Sequence, residues 1–280
     1  MTTDLDRILA PRIVALIPPK ILTLDIERVP GRAKVKHRGL TIEGDFWDLS
    51  GWKHTIGYRI HPDDVLEWPR TICAGWRWYG AKRVEFGAEW LTDREEFLRR
   101  QWGLFNEADI LVGHNMAGFD AKKLSGEWWV ELGLTPPSPY KVVDTLKVAR
   151  TRFSLESNTL DALLKRRGLA GKTDRYSVEM ARAACAGDKK AQRQIRAYNV
   201  GDIHASELLY DDVRGWIPNH PHIGLYSGED GCCGNCGGEL KASDWCRTAV
   251  TAYAQYVCTN CGAWFRRNDI KTRVLTRPAR

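Results

Sequence analysis

The chain of 280 residues is 43% hydrophobic and 28% charged, which supports a packed core and excludes global disorder. Its length accommodates one α/β domain of about 200 residues with a small module beside it. The formal charge of +7 leans towards polyanionic partners, weakly, because many basic proteins carry only solvated lysines.

Residues 1–20 lack periodicity and read as a lead-in arm. The apolar stretch 13–17 follows Asp4 and Asp6 and stops at Pro18-Pro19. With no basic n-region and no small-residue cleavage site, it does not read as a signal peptide. No run of 18 apolar residues follows anywhere, so no membrane contact is expected. Residues 21–27 read as a buried strand with Leu22, Leu24 and Ile26 on one face and Thr23, Asp25 and Glu27 on the other. Residues 28–55 read as an irregular insertion, rich in Arg28, Arg32, Lys34, Lys36 and Arg38 before the first acid, Glu43. A hairpin is predicted over 71–79 and 83–86 with Gly80 at its turn. Thr92 with Glu95 three residues on forms a capping-box pattern that opens a helix to about residue 107. A short strand at 110–112, a helix over 118–132 ended by Gly133 and Pro136-Pro137, a strand at 142–143, and helices over 158–167 and 189–213 complete the series. The predicted fold is α/β: a mixed sheet flanked by helices. The pattern fades over 218–231, which sets the domain boundary there.

Asp25 and Glu27, at i and i+2, point to one face of an apolar strand. Two carboxylates held that close repel each other and call for a cation, although a solvated strand face is the blander account. Asp120 sits where a strand runs through Gly113, His114 and Asn115 into a helix, a position often occupied by a simple cap, and His114 suits a satisfied turn residue. Asp202 belongs to a helical stripe of Ala191, Ile195, Tyr198, Asp202, Ala205 and Leu209, so its carboxylate faces inward and needs compensation. A core tyrosine beside a partnered aspartate is the alternative for Tyr198 and Asp202. Gly201, poor in a helix, suggests a close approach by another group. Asp144 reads as a cap or ion-pair residue rather than a fifth site acid.

In order, Asp25-Ile-Glu27, Gly-His-Asn115-Met-Ala-Gly-Phe-Asp120 and Tyr198-Asn-Val-Gly-Asp202 resemble the three motifs of the DEDD exonucleases of the ribonuclease-H-like superfamily, in the subtype with Tyr four residues before the last Asp. Val143-Asp-Thr-Leu and Thr159-Leu-Asp-Ala-Leu-Leu are similar to the linking elements of that family, and the likeness covers about residues 20–215. Arg28 departs from it, standing where relatives often have Thr; it bears on contacts near the 3′ end and removes no ligand.

The resemblance implies metal-dependent 3′→5′ hydrolysis of phosphodiester bonds, with single-stranded DNA favoured over RNA. Two Mg²⁺ or Mn²⁺ ions would be held by Asp25, Glu27, Asp120 and Asp202, because hard ions take carboxylate oxygens. It also implies that Tyr198 orients water and that His114, Asn115 and Phe119 contact the terminal nucleotide. It places the activity in DNA replication or repair, where any proofreading would serve a separate polymerase or replication protein. An RNA-directed or structure-specific nuclease, and a nucleic-acid-binding adaptor with a vestigial site, are the competing readings.

Six of the eight cysteines lie between Cys232 and Cys261, which is metal-site spacing in a reducing compartment, here the cytoplasm of a bacterial or phage-infected cell. Cys233-Gly-Asn-Cys236 and Cys258-Thr-Asn-Cys261 are two C-x₂-C knuckles, each followed by Gly, and predict a zinc ribbon holding one structural Zn²⁺. Cys232 and Cys246 read as free thiols. The domains expected are therefore 1–217, an exonuclease domain; 228–267, the ribbon; and 268–280, a basic tail. Trp264 and Phe265 beside Arg266-Arg267 suit stacking with phosphate contact, yet binding of protein and mere stabilisation of the terminus are equally open for the ribbon.

Overall fold

The computed structural model describes residues 18–37, 39–50, 60–169, 176–229, 231–269 and 272–273. Most of the lead-in arm and of the basic tail lies outside these residues. The described residues divide into two compact units, one of Lys20–Val213 and one that begins at Arg214.

The larger unit is built on strand β1 (Ile21–Val29), the centre of a five-stranded sheet. On one side it pairs antiparallel with β5 (Arg70–Trp78), which pairs with β6 (Glu85–Ala88). On the other it pairs parallel with β7 (Ile110–Gly113), which pairs with β8 (Lys141–Asp144). Alternation in β1 decides what each face meets. Leu22, Leu24 and Ile26 pack with Phe97, Leu98 and Phe105 of helix α2 (Arg94–Glu107) and with Leu124 and Trp128 of α3 (Asp120–Leu132). On the opposite face Val29, Ile72, Cys73 and Ala88 meet Ala181 and Ala184 of α6 (Val178–Cys185) and Ala191 and Ile195 of α7 (Lys189–Val213). Helices α4 (Thr145–Arg152) and α5 (Leu160–Arg166) also pack on α7. The result is the expected mixed sheet flanked by helices.

Three local expectations need correction. Helix α2 is capped by Asp93, whose carboxylate accepts from Glu96 N at 2.8 Å; the Thr92/Glu95 pair stands one residue too early. Thr92 N donates to Ala88 O, which holds Thr92 in the preceding turn and leaves Asp93 as the first residue free to cap. The insertion is largely regular: β2 (Arg32–His37) and β3 (Leu40–Asp45) form a hairpin around Gly39, with a short helix α1 (Phe46–Leu49) after it and β4 (Val65–Glu67) as a third strand. Ala33 and Val35 are buried while Arg32, Lys34 and Lys36 are exposed, so the basic residues are the wet face of a strand. Gly201 is exposed with no heavy atom near its Cβ direction, so it marks no close approach.

In the smaller unit β10 (Thr251–Cys258) is the central strand. It pairs with β9 (Leu240–Arg247), β11 (Trp264–Arg266) and β12 (Thr272–Arg273). Before them lies a single-turn helix, α8 (Gly224–Ser227). The buried amide of Asn235 donates to the carbonyls of Arg214 (2.8 Å) and Ile217 (3.0 Å), tying the first knuckle to the start of this unit.

Candidate metal centres

Strand β1 and helix α7, far apart in sequence, bring Asp25, Glu27 and Asp202 together: one carboxylate oxygen from each lies within 4.8 Å of the others. The approach of α7 depends on Gly75, the cross-strand partner of Asp25, because a Cβ there would stand 2.4 Å from Asn199 Oδ1. Buried Asn199 then donates from Nδ2 to Asp25 Oδ2 at 2.8 Å and fixes that carboxylate. The motif reading passed over Asn199, although it lies three residues before Asp202 on the same helix. Glu27 and Asp202 are buried and Asp25 half-buried, in a setting where like charges are poorly screened. After Glu27 the β1–β5 register shifts by a bulge, and only Arg28 and Val29 follow in the strand.

Asp120 is the first residue of α3 but makes no cap. The N-cap is Phe119, and Asp120 Oδ1 accepts instead from Ile26 N at 3.2 Å, in the strand that carries the other two acids. It lies outside the group of three but within electrostatic reach of Asp202. Burial first, then the charges of Asp144 and Asp202, push its carboxyl up to about 7 against the opposing pull of backbone N–H donors. A carboxyl raised from 3.8 contributes stability that is full below about pH 3.8 and lost as pH rises through about 7. In chelator, the melting temperature should therefore fall across that window. Asp120→Asn should flatten the fall, since the amide oxygen can still accept from Ile26 N. Added Mn²⁺ should then raise the melting temperature at neutral pH in the wild type far more than in the variant. Identical pH slopes in calorimetry of the two proteins would show that the carboxyl is not raised, and identical Mn²⁺ shifts would remove Asp120 from the site.

Around the acids lies an open cleft of about 390 Å³ whose lining includes Asp25, Asp202, His114, Asn115, Arg150 and Thr159. Arg150, on α4, brings a positive charge that sequence patterning did not single out. His114 fits the turn-residue account: Nε2 donates to Asn158 O at 2.8 Å and Nδ1 is 3.0 Å from Thr145 Oγ1, so its ring binds loop to helix. Asn115 adopts φ +74, a left-handed conformation that Asn tolerates, and its N–H donates to Asp144 Oδ1 at 3.0 Å. Asp144 also caps α4, accepting from Leu146 N and Lys147 N, as the cap reading required. Phe119 is half-buried against the core, with Lys123 Nζ 5.9 Å from its ring centroid. The Tyr198 hydroxyl is hydrogen-bonded to Asp202, and burial followed by the charges of Asp202, Glu27 and Asp25 pushes its pKa above the ordinary tyrosine value.

Arg28 does not reach the cleft. It is buried, with Nη2 donating to Glu127 Oε1 (3.0 Å) and to Pro69 O (2.9 Å), so it serves an internal ion pair. Cys73, the cross-strand partner of Glu27, is fully buried; burial and then Glu27 and Asp25 push its thiol well up, and it stays protonated beneath the acids.

The second cluster joins Cys233, Cys236, Cys258 and Cys261, all Sγ atoms within 4.8 Å. Separations of 3.6 Å for Cys233–Cys261 and for Cys236–Cys258 match the S···S edge of about 3.8 Å that a tetrahedron with metal–sulfur bonds of about 2.3 Å requires. Gly237 (φ +75) and Gly262 (φ +74) close the knuckles in a conformation that favours glycine. N–H groups of Gly238 and Asn260 point at Cys236 and Cys258 (both 3.4 Å) and would share the thiolate charge. Burial opposes ionisation of Cys236, but the N–H of Gly238, the Asn260 amide and the neighbouring cysteines outweigh it and bring the thiol down to about 7. Cys232 and Cys246 stand outside the group.

No family model matches the chain, and no curated protein does. Among solved structures, the family B DNA polymerase from the hyperthermophilic archaeon Pyrobaculum calidifontis is similar. The likeness covers 75% of this chain and 26% of that one, at 18% identity and a TM-score of 0.49. The chain thus spans about a quarter of that polymerase's length. Among the described residues no helix is long and apolar enough to cross a membrane.

Proposed function

We propose that the chain is a 3′→5′ exonuclease acting on single-stranded DNA ends, with a zinc ribbon as its C-terminal module. The observation that carries the reading is the meeting of Asp25, Glu27 and Asp202 within 4.8 Å, with Asp25 and Asp202 lining an open cleft. All-oxygen donors of this kind suit Mg²⁺ or Mn²⁺, and Asp120 completes the set from the neighbouring helix. When bound, two such ions activate water, neutralise the phosphoryl oxygens and stabilise the leaving 3′ oxygen. The chain's own groups do the rest. Asn199 holds the Asp25 carboxylate in place. Tyr198 keeps its proton at neutral pH and orients the attacking water as a hydrogen-bonding group, not as a base. Arg150 supplies a cation towards the phosphate, and Asn115 and Phe119 face the terminal nucleotide. His114 shapes the loop that carries them. The four cysteines suit Zn²⁺, whose role would be structural because no coordination position is left open.

The test uses 5′-labelled single-stranded DNA and RNA with Mg²⁺ or EDTA. The expected result is a ladder shortening from the 3′ end on DNA, abolished by EDTA. A ladder on RNA alone would move the sugar preference. Internal cuts at one structure would replace the exonuclease by a structure-specific nuclease, and binding without any cleavage would leave an adaptor.

A further inference from the structure

The register of the C-terminal sheet separates two faces. On one, Cys258 lies opposite Leu240 and Tyr256 opposite Phe265, and Leu240 and Phe265 pack onto the cysteine cluster. Phe265 is therefore half-buried on the cysteine side of the sheet, away from Trp264. The other face is built in rows: Lys241–Val257–Trp264, then Gln255–Arg266, then Cys246–Tyr253, then Thr251–Arg273. The Arg266 guanidinium lies 4.4 Å from the Tyr253 ring centroid, as residues on a shared face should. Trp264 is 59% exposed, Lys241 and Arg266 are exposed near it, and Arg273 is exposed at the far end of the same face. The four strands carry one carboxylate, Asp244, and it pairs with Arg247 at 3.5 Å.

We infer that this outward face binds single-stranded nucleic acid, with Trp264 and the Tyr253–Arg266 pair as stacking planes and Lys241, Arg266 and Arg273 as phosphate contacts. Cations that face no acid among the described residues match a polyanion, and a wide exposed indole on the same face matches bases, each of whose faces stacks whatever its identity. An acidic protein would use the cations and leave the indole idle. The inference stands apart from the nuclease reading, because binding needs neither the carboxylates nor their ions.

The test measures oligo-dT binding by the zinc-loaded full chain, by fluorescence anisotropy over a salt series with no Mg²⁺ or Mn²⁺ added. Removing three phosphate contacts with Lys241→Gln, Arg266→Gln and Arg273→Gln together should lower the salt slope by about 2. Trp264→Ala should weaken binding about tenfold at every salt concentration with the slope unchanged, and Trp264→Phe should recover most of the loss. Zinc content monitors the fold of each variant. In the unsubstituted protein, oligo-dT should also protect Lys241 from acetylation, an answer independent of any variant's folding. An unchanged salt slope, an unprotected Lys241, or competition by polyglutamate as effective as by oligo-dT overturns the inference. A protein that binds in this way yet cleaves nothing overturns the nuclease reading alone.

Discussion

Asp202→Ala should reduce hydrolysis on the order of 10³-fold or more while leaving the fold and the grip on nucleic acid in place. Asp202 is buried and shares its surroundings with Asp25, Glu27 and the raised carboxyl of Asp120. Without ions these charges oppose one another, so deleting one relieves repulsion and should raise the melting temperature measured in chelator. Asp25→Ala should behave alike in activity. Tyr198→Phe provides the graded arm: it keeps the ring and loses only the hydroxyl on Asp202, so a loss of about 10- to 1000-fold with an unchanged melting temperature is expected. Steady-state rates on a labelled oligonucleotide, paired with calorimetry, read both quantities. Full activity in Asp202→Ala would end the site assignment, and a large stability loss with normal rates in Tyr198→Phe would return that residue to the core.

What could be read in advance followed from how far each signal was periodic. The stripe of α7 and the alternation of β1 repeat over many residues, so both elements, the shared face of Asp25 and Glu27 and the inward aim of Asp202 were legible. The β2–β3 hairpin was not, because Arg32, Lys34 and Lys36 drew attention as a charge run while Ala33 and Val35, the dry half of the same alternation, are small. Helices α4 and α6, of eight residues each, were not read, whereas the seven-residue α5 was, so length alone did not decide which short helices were legible. Asn199, Gly75 and Arg150 act through tertiary neighbours: an amide on a carboxylate 174 residues away, a missing Cβ under a helix, a cation across a cleft. No local pattern announces such contacts. Conversely the two knuckles were legible because sulfur ligand spacing is a local code, whereas the outward aim of Trp264 and the inward aim of Phe265 needed the strand register.

The two clusters should part company in chelator, and the contrast tests the metals chemically. Carboxylate oxygens hold Mg²⁺ loosely, since that ion keeps much of its water, so mild EDTA should stop cleavage and excess Mg²⁺ should restore it. The thiolate set should keep its zinc through the same treatment, with a binding energy on the order of 10 kcal/mol that is also folding energy. The packing explains why the two energies merge. Buried apolar content around the knuckles comes to Cys233, Cys258 and Ala263, with Cys236, Leu240, Cys261 and Phe265 packed against them, too little core to fold a small module unaided. Cys258→Ser should therefore do more than lower zinc affinity. It should abolish the bound zinc and remove the β9–β11 pairings on β10 from the cooperative unfolding transition, which hydrogen exchange at Tyr256 and Val257 would read directly. One zinc per chain by elemental analysis, before and after the EDTA step, is the expected count. A protein without zinc that still protects those amides would show that the cysteines hold no structural ion, and the ribbon assignment would fall.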